Sequence, residues 1–134
     1  MSIYGIGARF GDNDVTEYFV DNEEAGIGWN KDAAPDLHQF IQSLKVGDIV
    51  YIKSHSPSAG LIIKAIGIIK NNDVIEDCDI DMRIGRKVHW ICTDINEHLK
   101  VNSKLNVRNN SLYEEFHPIV QDFVLNKIFS SLNK

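Results

Sequence analysis

Apolar positions along this chain switch between a period of two and a period near 3.6, and the switches mark its elements. Ile3 to Phe10 alternates large apolar side chains with small residues, which predicts a first strand closed by Gly11-Asp12-Asn13. Val15 to Glu24 has no settled period and reads either as a short strand or as a helical turn bringing Tyr18 and Phe19 near the core. Pro35 to Leu44 is a helix, because Leu37, Phe40, Ile41 and Leu44 recur at i, i+3, i+4 and i+7 and proline suits a first turn. Its polar face carries His38, Gln39 and Gln42.

Strand character returns with Ile49 to Lys53, launched by Gly47-Asp48 and opening into the polar loop Ser54-His55-Ser56-Pro57. Leu61 to Lys70 is almost wholly apolar and β-branched, the composition of a strand buried on both faces. Gly67 within it predicts a bulge or a close backbone approach, and Asn71-Asn72-Asp73 is expected to end it. Ile75 to Ile84 reads as loop or edge, and Arg86 to Thr93 as a strand with Val88, Trp90 and Cys92 on one face. Leu99 to Val107 supplies one more short strand. Ser111 with Glu114 three residues on matches a capping box, and Leu112, Phe116, Ile119, Val120, Phe123, Val124 and Ile128 form a helical stripe divided or kinked at Pro118.

These elements predict an α+β fold in one domain over residues 1–134. The central strands describe a small β-barrel over about residues 3–107, followed by a C-terminal helical segment over about 111–132. Length agrees, since 134 residues suit one core. With 43% hydrophobic and 25% charged residues, and no apolar run near bilayer-spanning length, the expectation is a cytoplasmic chain that does not enter a membrane. Cys78 and Cys92 lie far from CxxC spacing, so neither a disulfide nor a metal site is expected.

Charge narrows the partners. A net charge of −5 argues against wrapping a long nucleic-acid backbone, but not against inspecting one extruded nucleotide, which needs only a few cations beside a pocket. Acidic residues gather in Asp12 to Glu24 and Glu76 to Asp81, while Lys45, Lys53, Lys64 and Lys70 share the central segment. No HExxH, Walker loop, GxSxG elbow or zinc-spaced Cys/His set occurs, and no catalytic residue or cofactor is assigned.

Trp29 follows Gly26-Ile27-Gly28 and precedes Asn30, so a loop can present its indole for stacking while the neighbouring amide hydrogen-bonds. The alternative is that Trp29 plugs one end of the barrel, as tryptophans are highly buried on average. Trp90, in an alternating strand, belongs to the core. Ser54 and His55 stand where a strand opens into a loop and can meet a ligand at the barrel mouth, or simply bond within the loop. Arg9 and Lys53 are the candidate phosphate contacts, with a surface ion pair as the alternative role of Arg9.

The segments GIGWN, KVGDIVYIKS, GLIIKAIGII and VHWI, with an amphipathic helix after the first, resemble in their order the PUA-like superfamily, and within it the EVE-type branch related to YTH readers and to the DNA-reading modules of modification-dependent restriction systems. The likeness covers about Ile3 to Thr93, and the tail SLYEEFHPIV is similar to the helical closing segment of related defence modules. The resemblance implies a barrel of five or six strands with peripheral helices that holds a modified DNA or RNA base in an aromatic-lined pocket, without enzymatic activity, in restriction, phage defence or RNA metabolism, with an effector protein as a further partner. It implies Trp29 as pocket wall, Asn30 as the polar position beside it, and Ser54 and His55 at the strand end facing the same pocket. Ile68 and Ile69 stand where a second cage aromatic would follow Gly67. The alternatives are a protein-interaction or small-ligand domain, and a small hydrolase of the ASCH type, which requires a lysine, a glutamate and a hydroxyl converging in the pocket.

Overall fold

The computed structural model describes residues 2–56, 60–76, 81–95, 97–101 and 110–133, with only the backbone of His55 and Ser56. Its strands are β1 (Ile3–Gly7), β2 (Arg9–Phe10), β3 (Asn13–Asp14), β4 (Glu24–Ile27), β5 (Ile49–Ser56), β6 (Gly60–Glu76), β7 (Ile84–Cys92), β8 (Glu97–Leu99) and β9 (Leu112–Glu114). Its helices are α1 (Thr16–Asn22), α2 (Pro35–Ser43) and α3 (Pro118–Leu132). The main sheet runs β4-β7-β6-β5-β1-β9, with β8 also on β6, while β2 and β3 form a separate ribbon. Among the described residues only β1 and β5 pair in parallel, and the rest of the main sheet is antiparallel. This is a mixed α+β fold, and among the described residues no ladder joins β4 to β9.

Period-two alternation sends β5 side chains to two cores. Val50 and Ile52 pack with Phe19 of α1 and Ile41 of α2, whereas Ile49 and Tyr51 face Val120, Val124 and Ile128 of α3. Helices therefore cover both faces, which is why Ile49 to Ile52 of β5 and Leu61 to Ile69 of β6 are mostly apolar. Each of the three buried α3 side chains contributes about 1.5–3 kcal/mol of apolar burial. At Gly67 a Cβ would stand 2.6 Å from Val88 Cγ1, and the register shifts between Ile66 and Gly67. That shift redistributes β7: Val88 and Trp90 stay on the α1/α2 side, while Cys92 packs on the α3 side. The expectation that all three share a face is corrected by this bulge.

Further corrections have local causes. The ambiguous acidic stretch is helical over Thr16–Asn22, and the first strand ends at Gly7. Strand β6 runs through Asn71-Asn72-Asp73 to Glu76, although pairing with β7 shifts between Ile69 and Val74. The carbonyls of Asn71 and Asp73 there accept from the Arg86 guanidinium, so the irregular backbone is satisfied without a ladder. The supposed capping box is instead β9, paired with β1, and Pro118 opens α3 rather than kinking it. The N-cap is His117, whose Nδ1 accepts from the Ile119 N–H at 3.2 Å. Of the strand expected over Leu99 to Val107, only Leu99 falls in β8, and residues 102–109 lie outside the described residues.

Candidate functional site

At the end of β4 the chain leaves the sheet at Gly28, and Trp29 is held at both ends. Its carbonyl accepts from His38 Nε2 at 2.6 Å, and its indole N–H donates to Ser111 Oγ at 2.9 Å. His38, expected on the polar face of α2, is buried and makes this bond from the interior side. The indole is nevertheless 54% exposed, so it forms a surface wall and not a core plug. Asn30 closes the turn that precedes α2: its Oδ1 accepts from the Ala33 N–H at 2.8 Å and its carbonyl from the Ala34 N–H at 3.1 Å.

Trp29 borders a cleft of about 490 Å³ whose lining includes Arg9, Phe10, Arg83, Ser111 and Asp81. That size lies within the range of small-molecule sites. Phe10 is its second aromatic, braced edge-on against Phe19 with centroids 6.0 Å apart. Gly28 lets that ring approach the backbone, since a Cβ would stand 3.1 Å from Phe10 Cδ1. Ser111 is tied to the opposite wall through its carbonyl, which accepts from the Gly7 N–H at 2.9 Å.

Of the residues expected from sequence, the cleft brings together Trp29 and Arg9. Asn30, Lys53 and Ser54 do not line it. Ser54 is half-buried on β5 opposite Ile62, and His55 pairs through its backbone with Leu61, its side chain lying outside what is described. Lys53 lies over the Tyr113 ring at 5.9 Å from the centroid, and burial lowers its pKa from the ordinary lysine value. Sequence reading missed Phe10, Arg83 and Ser111. Ser111 is 82 positions from Trp29, and its neighbours carried a false capping signal.

A second polar group lies under α3. The Tyr51 hydroxyl donates to Glu115 Oε1 at 2.5 Å and lies 2.8 Å from the Tyr113 hydroxyl. Burial, the neighbouring Tyr113 and the bond to Glu115 push the Tyr51 pKa far above its ordinary value, so it remains a neutral donor. With Lys53 nearby, this supplies the residue types of the hydrolase alternative, but Tyr51 and Glu115 are buried and neither lines the cleft. Among the described residues no three His, Cys, Asp or Glu side chains converge as a metal site, and no helix is long and apolar enough to cross a membrane.

The fold and site thus define a mixed α+β domain with an exposed tryptophan and two arginines on one cleft. Residues 31–115 match a family described as a domain of unknown function (DUF8426), and since this is more than half of the chain, the protein belongs to that family. The match includes Asp81, Arg83 and Ser111 but begins just beyond Trp29, leaving Arg9 and Phe10 outside it. No curated protein matches the chain.

Proposed function

We propose that this protein is a non-enzymatic module that reads a base, modified in its biological target, by stacking it against Trp29. The observation that carries the reading is a half-exposed indole fixed by His38 and Ser111 on a cleft also lined by Phe10, Arg9 and Arg83. A tryptophan immobilised before binding loses little further entropy on contact, and base–aromatic stacking contributes about 1–3 kcal/mol. The PUA-like, EVE-type resemblance supports the same reading. So does the curl of the sheet: β1 and β4 have Cα atoms within 8 Å although three strands separate them in the ladder order, the approach that a barrel requires.

The test is binding to modified and unmodified DNA and RNA oligonucleotides at fixed salt, beside a Trp29→Ala variant of equal thermal stability. Modification-dependent binding that falls about tenfold or more in the variant supports the proposal. Equal binding by both proteins refutes the Trp29 site.

One observation favours a second reading, in which the chain meets an effector protein. Phe116, just before α3, is 71% exposed, and Phe129, in its last turn, is 56% exposed. Val120 is buried and Phe123 half-buried, so the exposed apolar surface is confined to the two ends of the helix. Loss of effector association in Phe116→Ser/Phe129→Ser, with oligonucleotide binding intact, would assign this surface to protein contact.

A further inference from the structure

We propose that the cleft is a nucleotide site and not a bare base slot: Arg9 and Arg83 grip one phosphate beside a ring stacked on Trp29, and Lys53 adds positive charge from behind the wall at Gly7. The proposal rests on the base-stacking reading and specifies its ligand.

The two arginines come from separate parts of the chain to one cleft, and both backbones are anchored. Arg9 sits in the β2–β3 ribbon opposite Asp14, and the Arg83 N–H donates to the Ile27 carbonyl at 2.9 Å. Both residues are exposed, and the Arg9 guanidinium donates to the Asp12 carbonyl at 3.4 Å, a long surface bond that contact with an anion would replace. A guanidinium presents a planar fork of N–H donors that matches two phosphate oxygens.

Lys53 is the in-register neighbour of Gly7 on β5. Because Gly7 has no side chain, the ammonium comes close to the cleft wall: a Cβ there would lie 3.8 Å from Nζ. Burial lowers the lysine pKa, which marks a less polar setting where a charge is felt further than in water. Among the described lining residues the charged side chains are Arg9, Arg83 and Asp81, two cations to one carboxylate.

The positive region is short. A neighbouring cleft is lined by Asp14, Glu17, Asp21 and Asp94 with Lys64, and the chain carries net −5. A long phosphate track would therefore meet repulsion, whereas one phosphate ester beside a planar ring fits. That ester can belong to a free 5′-mononucleotide or to one nucleotide of a single strand.

The test is calorimetric titration with nucleosides, the matching 5′-mononucleotides and single-stranded tetranucleotides, carrying adenine or cytosine in ordinary and methylated forms. Wild type is compared with Trp29→Ala, Lys53→Met and the double variant Arg9→Ala/Arg83→Ala, each checked for unchanged thermal unfolding. The expected result is that a nucleotide binds about tenfold or more tighter than its nucleoside, the size of effect for a charge-assisted hydrogen bond. The gap should close in the double-arginine variant and narrow about two- to threefold in Lys53→Met, by the weaker Coulomb effect of a charge outside the contact. Tetranucleotide above mononucleotide assigns the phosphate to a strand, and the reverse to a free nucleotide. Equal affinity for nucleoside and nucleotide overturns the phosphate site while leaving base stacking standing. Absence of binding by every member overturns both.

Discussion

Ser111 and Arg86 perform opposite tasks with the same economy of contacts. Ser111 supplies the hydroxyl that accepts from the Trp29 indole at 2.9 Å, at a partly exposed site. Ser111→Ala should change stability by less than about 1 kcal/mol, the net worth of such a bond, yet weaken ligand binding several-fold because the indole is no longer pre-aligned. Paired unfolding and titration curves check this. Arg86 is 2% exposed and donates to the carbonyls of Ile41, Gln42 and Leu44 at the end of α2 and of Asn71 and Asp73 in β6. It terminates the helix that carries His38 and pins it to β6. Arg86→Ala should cost about 3 kcal/mol or more by leaving several carbonyls unsatisfied, and Arg86→Lys should rescue little, since an ammonium cannot reach both segments. Urea midpoints report both variants. Arg86 appears in sequence as one more charged residue in a strand; nothing in its neighbours signals that two distant backbone segments converge on it.

Among the elements, β7 owes its two-sided packing to Gly67. Gly67→Ala would set a methyl 2.6 Å from Val88 Cγ1 and 2.7 Å from Trp90 Cε3, forcing the bulge to move. The expected cost is about 1–3 kcal/mol from overpacking, read as a lower denaturant midpoint with an unchanged slope. The network under α3 is a second test at this scale. Tyr51→Phe removes one hydroxyl shared by Glu115 and Tyr113, and should destabilise by about 1–3 kcal/mol by leaving buried partners unsatisfied. Glu115 also accepts from the His117 N–H at 3.1 Å, so added protease susceptibility should begin at the N-terminal turn of α3. The helix itself was legible from Val120, Val124 and Ile128, because a period of 3.6 is a local property. Its start was not: Leu112 to Glu114 has too few residues to declare a period, and pairing with β1 made it a strand.

For the whole molecule, charge sets the pH response and bears on the proposed ligand. Burial pushes the Asp14 carboxyl up, but bonds from the Thr16 hydroxyl and N–H and from Lys64 outweigh it and hold the pKa at about 2. A carboxylate depressed below its unfolded value stabilises the fold above about pH 4 and loses that contribution as pH falls towards 2. With 45% of the Asp14 side chain exposed, solvent screening keeps the effect below about 1 kcal/mol. Asp14→Asn should therefore flatten the stability profile between about pH 4 and pH 2 and leave it parallel above, as followed by thermal melts. Salt tests the single-phosphate footprint: the slope of log K against log salt for a single-stranded ligand should lie near −0.7, the value for one phosphate neutralised.

Sequence by itself determined the strands and helices whose patterns are carried by neighbouring residues. Apolar spacing marked α2, a β-branched run marked the doubly buried β6, Gly67 marked an irregularity, and the glycine-flanked Trp29 stood as a candidate wall with a core plug as its alternative, which only the structure decided. Tertiary structure decided what lies across from what. The parallel pairing of β1 with β5, the conversion of Leu112 to Glu114 into a strand, and the convergence of Arg9, Phe10, Trp29, Arg83 and Ser111 on one cleft depend on contacts between residues far apart in the chain. Such contacts form only when the packing of two cores repays the entropy of bringing distant segments together, and no local pattern encodes that balance.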